Sequence, residues 1–598
     1  MSEGGAPVLS VSGLRIETSF GADIVDEVTF DLRAGEVFGL VGESGCGKTS
    51  TALALLGHAR AGTRIVGGSV MLEGKQDVLR LSEVVKRKIR GDLISYVPQD
   101  PAASLNPRQR VGDQISETLV VHGTRAKIAE TVVHDLVARV GLPSDRAFLR
   151  RYPFELSGGQ QQRAAIAIAL VCNPVVIVLD EPTTGLDVTT QARILSLLRE
   201  LARETQAAFV YVTHDLAVID QLGDRVAVMY AGRIVELGDR ETVFGSPAHP
   251  YTALLLGSVP RISVRHELTG IAGTAPPPGS RPPGCAFVTR CPLATERCLH
   301  EFPPFTMSGR GTLVRCFHTE QVPSLRVTRN LGSSIQPPRT VDPLVSVDGV
   351  VASYGRGSQK HEVLHGVSLT IDPGECVALV GESGSGKTTL GRCIVGLHAP
   401  ESGEIRLRGI AIAQSVRERT RVQRQAIQIV FQNPDRSLNP TETVRQAISR
   451  PLRLFRPPGS TTDESDEIAE LVASVRLPPT ALDRFPRELS GGEKQRVAIA
   501  RALAAKPSVI ICDEITSALD VSIQSAIVSL LAELRKHGLA LFFITHNLAL
   551  VNSVADRVLV LESGEICEHG NAADVIARPS HPYTRSLLTS APELRVGA

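Results

Sequence analysis

Two lysines in this chain keep the same company. Gly42-Glu43-Ser44-Gly45-Cys46-Gly47-Lys48-Thr49 recurs as Gly381-Glu382-Ser383-Gly384-Ser385-Gly386-Lys387-Thr388. Glycines at this spacing let a loop turn successive backbone N–H groups inward, which suits phosphate oxygens. Lys48 and Lys387 would neutralise the β/γ charge. The hydroxyls of Thr49 and Thr388 would reach Mg2+, with Ser50 and Thr389 completing each loop. Asp180-Glu181 recurs as Asp513-Glu514, each pair closing an apolar run. The aspartates suit a Mg2+ held directly or through water, and the glutamates suit a general base for an attacking water. Thr213-His214 and Thr545-His546 follow in the same order. An acidic strand end is often a solvated terminus, and a lone histidine is often structural. Their repetition behind two phosphate loops points instead to Glu181, Glu514, His214 and His546 as catalytic.

A third pair, Leu156-Ser157-Gly158-Gly159-Gln160 and Leu489-Ser490-Gly491-Gly492-Glu493, precedes helix-forming runs at 163–170 and 496–504. Ser-Gly-Gly at a helix N-terminus is a second anion site. Two anion sites per domain make sense when two domains face each other. Here the chain resembles the ABC-type ATPases, over nearly all of 1–260 and 341–590. The resemblance implies head-to-tail packing. Lys48 would share one ATP with Ser490, Gly491 and Gly492, and Lys387 the other with Ser157, Gly158 and Gly159. It also implies γ-phosphate and Mg2+ sensing by Gln99 and Gln432, D-loop roles for Asp187 and Asp520, and adenine stacking on Tyr354 and, in the first copy, Phe20. Glu493 stands for the usual signature glutamine, and Asn547 follows His546 where Asp215 follows His214. Neither change removes a catalytic group, so two working sites are expected. Cys46, where the second copy has Ser385, is expected to have a lowered thiol pKa beside Lys48 and a helix N-terminus.

The elements that must position these residues repeat as well. Lys48 to Lys387 spans 339 positions, Asp180 to Asp513 spans 333 and His214 to His546 spans 332. One domain of about 250 residues is therefore used twice. Apolar runs at 36–41 and 375–380 lead into the phosphate loops, and runs at 175–179 and 509–511 lead into the acidic pairs. Bare apolar runs of this length suit parallel strands buried on both faces. The expected class is α/β: two ABC-type P-loop nucleotide-binding domains at 1–260 and 341–598, each with a helical subdomain. Residues 261–340 hold eleven prolines, ten arginines and no lysine, and read as an irregular Cys-rich extension and linker.

The 598 residues exceed one core, and 42% hydrophobic with 21% charged residues excludes a mostly disordered chain. The longest apolar stretch, 164–179, is broken by Asn173-Pro174. No run reaches the roughly 18 residues of a membrane span, which argues against an exporter half. The first residues show no secretory pattern, so a cytoplasmic protein is expected. A net charge of +1 speaks against a general grip on nucleic acid. Four of the ten cysteines, Cys285, Cys291, Cys298 and Cys316, fall within 32 residues at spacings of 6, 7 and 18. Disulfides do not suit a reducing cytosol. Zinc, a [4Fe–4S] cluster and no metal stay open, with Arg281, Arg290, Arg297 and Arg315 placed to offset a cluster's charge.

Gln99-Asp100-Pro101 runs on to Ser104-Leu105-Asn106-Pro107, and Gln432-Asn433-Pro434 to Ser437-Leu438-Asn439-Pro440. His249-Pro250-Tyr251-Thr252 recurs as His581-Pro582-Tyr583-Thr584, helix starts with an early proline. With the cysteines, these narrow the resemblance to the ATP-binding subunits of oligopeptide and dipeptide importers. That resemblance implies a [4Fe–4S] cluster and ATP-driven uptake of peptides, or of another small solute such as nickel. It implies two integral-membrane permease subunits, an extracytoplasmic peptide-binding protein, no nucleic acid, and a peripheral place on the cytoplasmic face of the cell membrane. A soluble tandem ATPase acting on DNA or ribosomes is the rival, disfavoured by a proline-rich linker without a CxxC pair.

Overall fold

Val37–Val41, Val176–Asp180 and Ala208–Thr213 are buried from end to end. Residues apolar on both strand faces need cover on both faces, and a central parallel sheet provides it. The computed structural model describes residues 6–265, 268, 270–325, 342–355, 360–457, 463–517 and 519–595. In it Val37–Val41 pairs in parallel with Ala208–Thr213 on one side and with Arg225–Tyr230 on the other. Ala208–Thr213 in turn pairs with Val176–Asp180, and that strand with Ile94–Val97. Val41 lies opposite Thr213, and Asp180 opposite Val212. Gly42, Glu181 and His214 therefore leave the sheet at one edge, the carboxyl ends of its strands, where α/β sheets bind ligands. The second copy repeats this with Cys376–Val380, Val509–Asp513 and Ala540–Ile544.

A four-stranded antiparallel sheet covers one face of each parallel sheet: Asp23–Leu32, Leu9–Thr18, Thr63–Leu72 and Gln76–Asp77 in the first copy, in that order, and its counterpart around Val345–Tyr354 in the second. Phe30 stacks on Phe38 across this layer at 4.9 Å. The opposite face carries helices. Val111–Val121 and Ala126–Arg139 pack with Gly158–Leu170; Val444–Phe455 and Glu464–Ser474 pack with Gly491–Leu503. Among the described residues no helix is long and apolar enough to cross a membrane.

The extension is more ordered than its composition suggests. Leu313–Val314 joins Arg233–Asp239, and Thr306–Met307 joins Leu313–Val314, widening the first sheet to eight strands. Phe287 enters the first copy's core against Tyr230, Tyr251 and His249, at ring separations of 5.1, 5.5 and 6.0 Å. Leu268 enters the core of the second copy. An extension with little apolar surface of its own thus borrows the cores of its neighbours. The linker reading for 326–340 lies outside the described residues.

Glu236, fully buried, explains why the His-Pro-Tyr-Thr segment sits where it does. Its two carboxylate oxygens accept the N–H groups of Ala248 and His249 at 2.7 and 3.0 Å. Burial pushes its pKa up to about 7 against these hydrogen bonds. The folded chain therefore keeps a proton that the unfolded chain loses near pH 4.5, and this group's contribution to stability falls as pH rises from about 4.5 to about 7. Glu236→Gln turns an N–H2 toward one of the two donors and is expected to cost about 1–3 kcal/mol. In thermal unfolding of the two proteins, the gap should be wider at pH 5.5 than at pH 8. A gap that widens with pH contradicts the reading.

Candidate ATP sites

Each phosphate loop leaves its strand through a glycine in a left-handed conformation. A Cβ on Gly42 would lie 2.2 Å from the Met229 carbonyl oxygen, and on Gly381 2.2 Å from that of Leu561. The lysines fold back onto their own loops. Lys48 Nζ donates to the carbonyls of Gly42 and Glu43 at 2.7 and 3.0 Å, and Lys387 Nζ to those of Gly381 and Glu382 at 2.8 and 2.6 Å. Both are buried, and burial lowers the Lys387 pKa against the pull of Glu514 and Asp513.

The strand ends meet these loops. Thr49 and Thr388 donate to Asp180 and Asp513 at 3.2 and 3.0 Å, which gathers hard oxygen donors of the kind Mg2+ takes. The phenol of Tyr96 adds a bond to Asp180 at 2.9 Å. Gln99 and Gln432 donate to Glu181 and Glu514 at 2.9 and 2.8 Å. His214 Nδ1 lies 2.8 Å from Glu181, and His546 Nδ1 3.6 Å from Glu514. Burial, the largest single influence, works against charge on both members of the first pair, but their hydrogen bond and mutual charge attraction, with smaller contributions, together outweigh it. Glu181 is held below the usual carboxylate range and His214 above the usual imidazole range. Both glutamates adopt left-handed backbones, φ 47° and 46°, uncommon for a residue with a side chain. Each is fixed by an N–H bond to the next strand, Glu181 to Val212 and Glu514 to Ile544. Tyr354 lies half-exposed against His398 at 4.5 Å, whereas Phe20 is 97% exposed.

Ser157 and Ser490 cap the helices that begin at Gly158 and Gly491 through reciprocal bonds with Gln160 and Glu493. Glu493 thus preserves the cap, but it also accepts the Ser490 hydroxyl at 2.8 Å. A Cβ on Gly159 would come within 2.5 Å of Thr190, so the signature lies tight against the helix that Asp187 opens.

The domains meet head to tail. Ser44 donates both its N–H and its hydroxyl to Asp520 at 2.8 Å, and Thr189 donates to Glu382 at 2.6 Å. The cleft over Lys387, about 420 Å3, is walled by Gly185, Leu186 and Asp187 of the first copy; Ser157 is not part of that wall. Asp187 caps its own helix through Thr190, while Asp520 turns its carboxylate to Ser44.

Two expectations fail. Cys46 is buried, and burial raises its thiol pKa more than Lys48 lowers it, with Asp520 and Glu43 adding to the rise. The interleaved arginines do not face the cysteines. Arg281 binds the carbonyls of Asp23 and Ile24, Arg290 binds Glu43, Arg297 binds Glu301, and Arg315 lies over Phe302 and Phe305. The sequence reading also missed Tyr251 and Tyr583, whose hydroxyls accept the N–H groups of Glu43 and Glu382 at 3.0 and 2.8 Å. Their only sequence signal was the repeated His-Pro-Tyr-Thr.

Cys285, Cys291, Cys298 and Cys316 line one small cavity with His249, Phe287 and Phe317. Burial raises the thiols of Cys285, Cys291 and Cys316, the last two to about 11 and about 12, and neighbouring thiols add to the rise. The backbone N–H of His318 donates to the Cys316 sulfur at 3.3 Å. Among the described residues no three of these sulfurs all lie within 4.8 Å of one another.

The ABC transporter family matches residues 25–184 and 364–517, and the oligopeptide/dipeptide transporter C-terminal region matches 235–298 and 567–598. The Oligopeptide transport ATP-binding protein OppD of Mycobacterium tuberculosis is 37% identical over 609 residues, covering 98% of this chain and 99% of its own. The Glutathione import ATP-binding protein GsiA of Salmonella typhimurium is 38% identical over 597 residues, covering 98% of this chain and 89% of its own. The chain belongs to the ABC transporter family, as an ATPase that carries two nucleotide-binding domains in one polypeptide.

Proposed function

We propose that the chain binds two ATP molecules between its domains at 1–260 and 341–598, and that their hydrolysis drives peptide import through two integral-membrane permease subunits. An extracytoplasmic peptide-binding protein delivers the cargo, and the chain works on the cytoplasmic face of the membrane. The observation that carries this reading is the reciprocal D-loop contact, Ser44 with Asp520 and Thr189 with Glu382, which makes each phosphate loop incomplete without the other domain. Peptide cargo is supported by the oligopeptide/dipeptide region in both copies and by relatives named for oligopeptides and glutathione. Lys48 and Lys387 hold the phosphates. Thr49, Thr388, Gln99 and Gln432 serve Mg2+ with Asp180 and Asp513. Glu181 and Glu514 take the proton from the attacking water, and His214 and His546 orient the γ-phosphate. ATP closes the interface and hydrolysis releases it.

Replacing the base by an amide keeps the phosphate loops intact. Glu181→Gln and Glu514→Gln should each lower steady-state turnover, and the double variant by about 10²-fold or more, with Mg–ATP binding retained. Unchanged turnover in Glu181→Gln contradicts a working first site. In the cell, deletion of the gene should cut uptake of a labelled tripeptide by about tenfold or more, restored by the wild type and not by the double variant. Undiminished uptake contradicts peptide import.

We further propose that Cys285, Cys291, Cys298 and Cys316 hold a [4Fe–4S] cluster. The one small cavity that all four cysteines line, and the His318 N–H that donates to the Cys316 sulfur, support it. When bound, it supplies folding energy to a segment that otherwise leans on Phe287. Anaerobic purification followed by iron, sulfide and zinc analysis should give iron and sulfide in equal amounts with visible absorbance. A colourless protein with one equivalent of zinc contradicts the cluster and leaves the four ligands.

A further inference from the structure

Glu43 and Glu382 occupy the same place in the two phosphate loops, and the structure surrounds them differently. Each meets the opposing domain: Ser522 donates to Glu43, and Thr189 to Glu382, both at 2.6 Å. Glu43 meets a guanidinium as well. Arg290 Nη1 and Nη2 grip its two oxygens at 2.7 and 3.0 Å, a bidentate ion pair whose side chains are only 3% and 9% exposed. Among the described residues no lysine, arginine or histidine pairs with Glu382.

Arg290 is held from the extension side. Its Nε donates to the Ala272 carbonyl at 2.9 Å, and Nη1 reaches the Tyr230 hydroxyl at 3.3 Å. It closes the short turn Val288–Arg290, directly before Cys291. The backbone carbonyl of Glu43 in turn holds Lys48 at 3.0 Å. A chain of direct contacts therefore runs from the cysteine-bearing extension through Arg290 and Glu43 to Lys48, with Ser522 of the opposing domain as a branch. A carboxylate inside a phosphate-binding loop repels incoming phosphates unless a cation neutralises it, and a buried one left unpaired is costly. The first loop has a guanidinium in bidentate contact with its carboxylate, and among the described residues no such ion pair forms at Glu382.

We propose that Arg290 is a positioning residue for the Lys48 ATP site alone. It neutralises Glu43, holds the loop against Ser522, and makes nucleotide affinity at this site depend on the docked extension, while the Lys387 site is free of that control.

The test uses the full chain and Mg2+ with a fluorescent N-methylanthraniloyl ATP, in two backgrounds. Lys387→Ala leaves the Lys48 site, and Lys48→Ala leaves the Lys387 site. Arg290→Ala is expected to weaken binding at the Lys48 site by about tenfold, and at the Lys387 site by less than about twofold. Arg290→Lys keeps the charge without the fork and should fall between, which separates pairing from gross loss of structure. With Glu43→Gln already present, Arg290→Ala should cause no further loss at the Lys48 site, because its partner charge is gone. Unchanged affinity at the Lys48 site overturns the proposal. So does equal weakening at both sites, or a loss that persists in full beside Glu43→Gln.

Discussion

A cradle of backbone N–H groups can surround a triphosphate from one side only, and everything else in this structure answers to that limit. Each loop is therefore also held from the opposing domain, where the D-loops cross. Asp520 takes the N–H and hydroxyl of Ser44, and Thr189 reaches Glu382. A parallel sheet buried on both faces makes this possible, because it brings Gly42, Glu181 and His214 to one edge with a register fixed by hydrogen bonds. The strained glutamates are held at that edge by N–H bonds to Val212 and Ile544. Strain of this kind persists only where surrounding structure overdetermines it.

The two halves solve the same problem with different neighbours. Asp187 caps its own helix, while Asp520 gives up that cap to meet Ser44. Ser157 accepts a cap bond from Gln160, while Ser490 also spends its hydroxyl hydrogen on Glu493. The acidic residue that anchors each His-Pro-Tyr-Thr turn differs most. Glu236 is fully buried and its pKa rises to about 7; Glu568 accepts comparable bonds from Ser580 and His581, which outweigh burial and bring its pKa down to about 2. The cover over Glu236 comes from the extension, whose strand Leu313–Val314 follows the second copy nowhere among the described residues.

The catalytic constellation was legible because chemistry fixes residue type and spacing together. A loop that wraps phosphate needs Gly42, Gly45 and Gly47 at those positions, and a strand ending in Asp180-Glu181 needs its apolar run. Doubling the motifs removed chance. What stayed hidden depends on which distant segment covers a residue. Cys46 looked reactive from Lys48 two positions on, but the buried setting among Gly42, Asp520 and Glu43 decides its thiol. Arg281, Arg290, Arg297 and Arg315 looked like counter-charges because they neighbour cysteines in sequence. In a short turn, adjacent side chains point apart, and each arginine found another partner. Tyr251 looked like a helix start, and its hydroxyl proved to hold the loop 208 positions earlier.

The chain contains no tryptophan, so one introduced indole reports alone. Leu186 of the first domain lines the cleft over Lys387 of the second. In a Leu186→Trp chain carrying Glu514→Gln, Mg–ATP should change the indole fluorescence. Lys387→Ala should abolish that change and Lys48→Ala should leave it. A signal that instead follows Lys48, the lysine of its own domain, contradicts a site shared between the two halves.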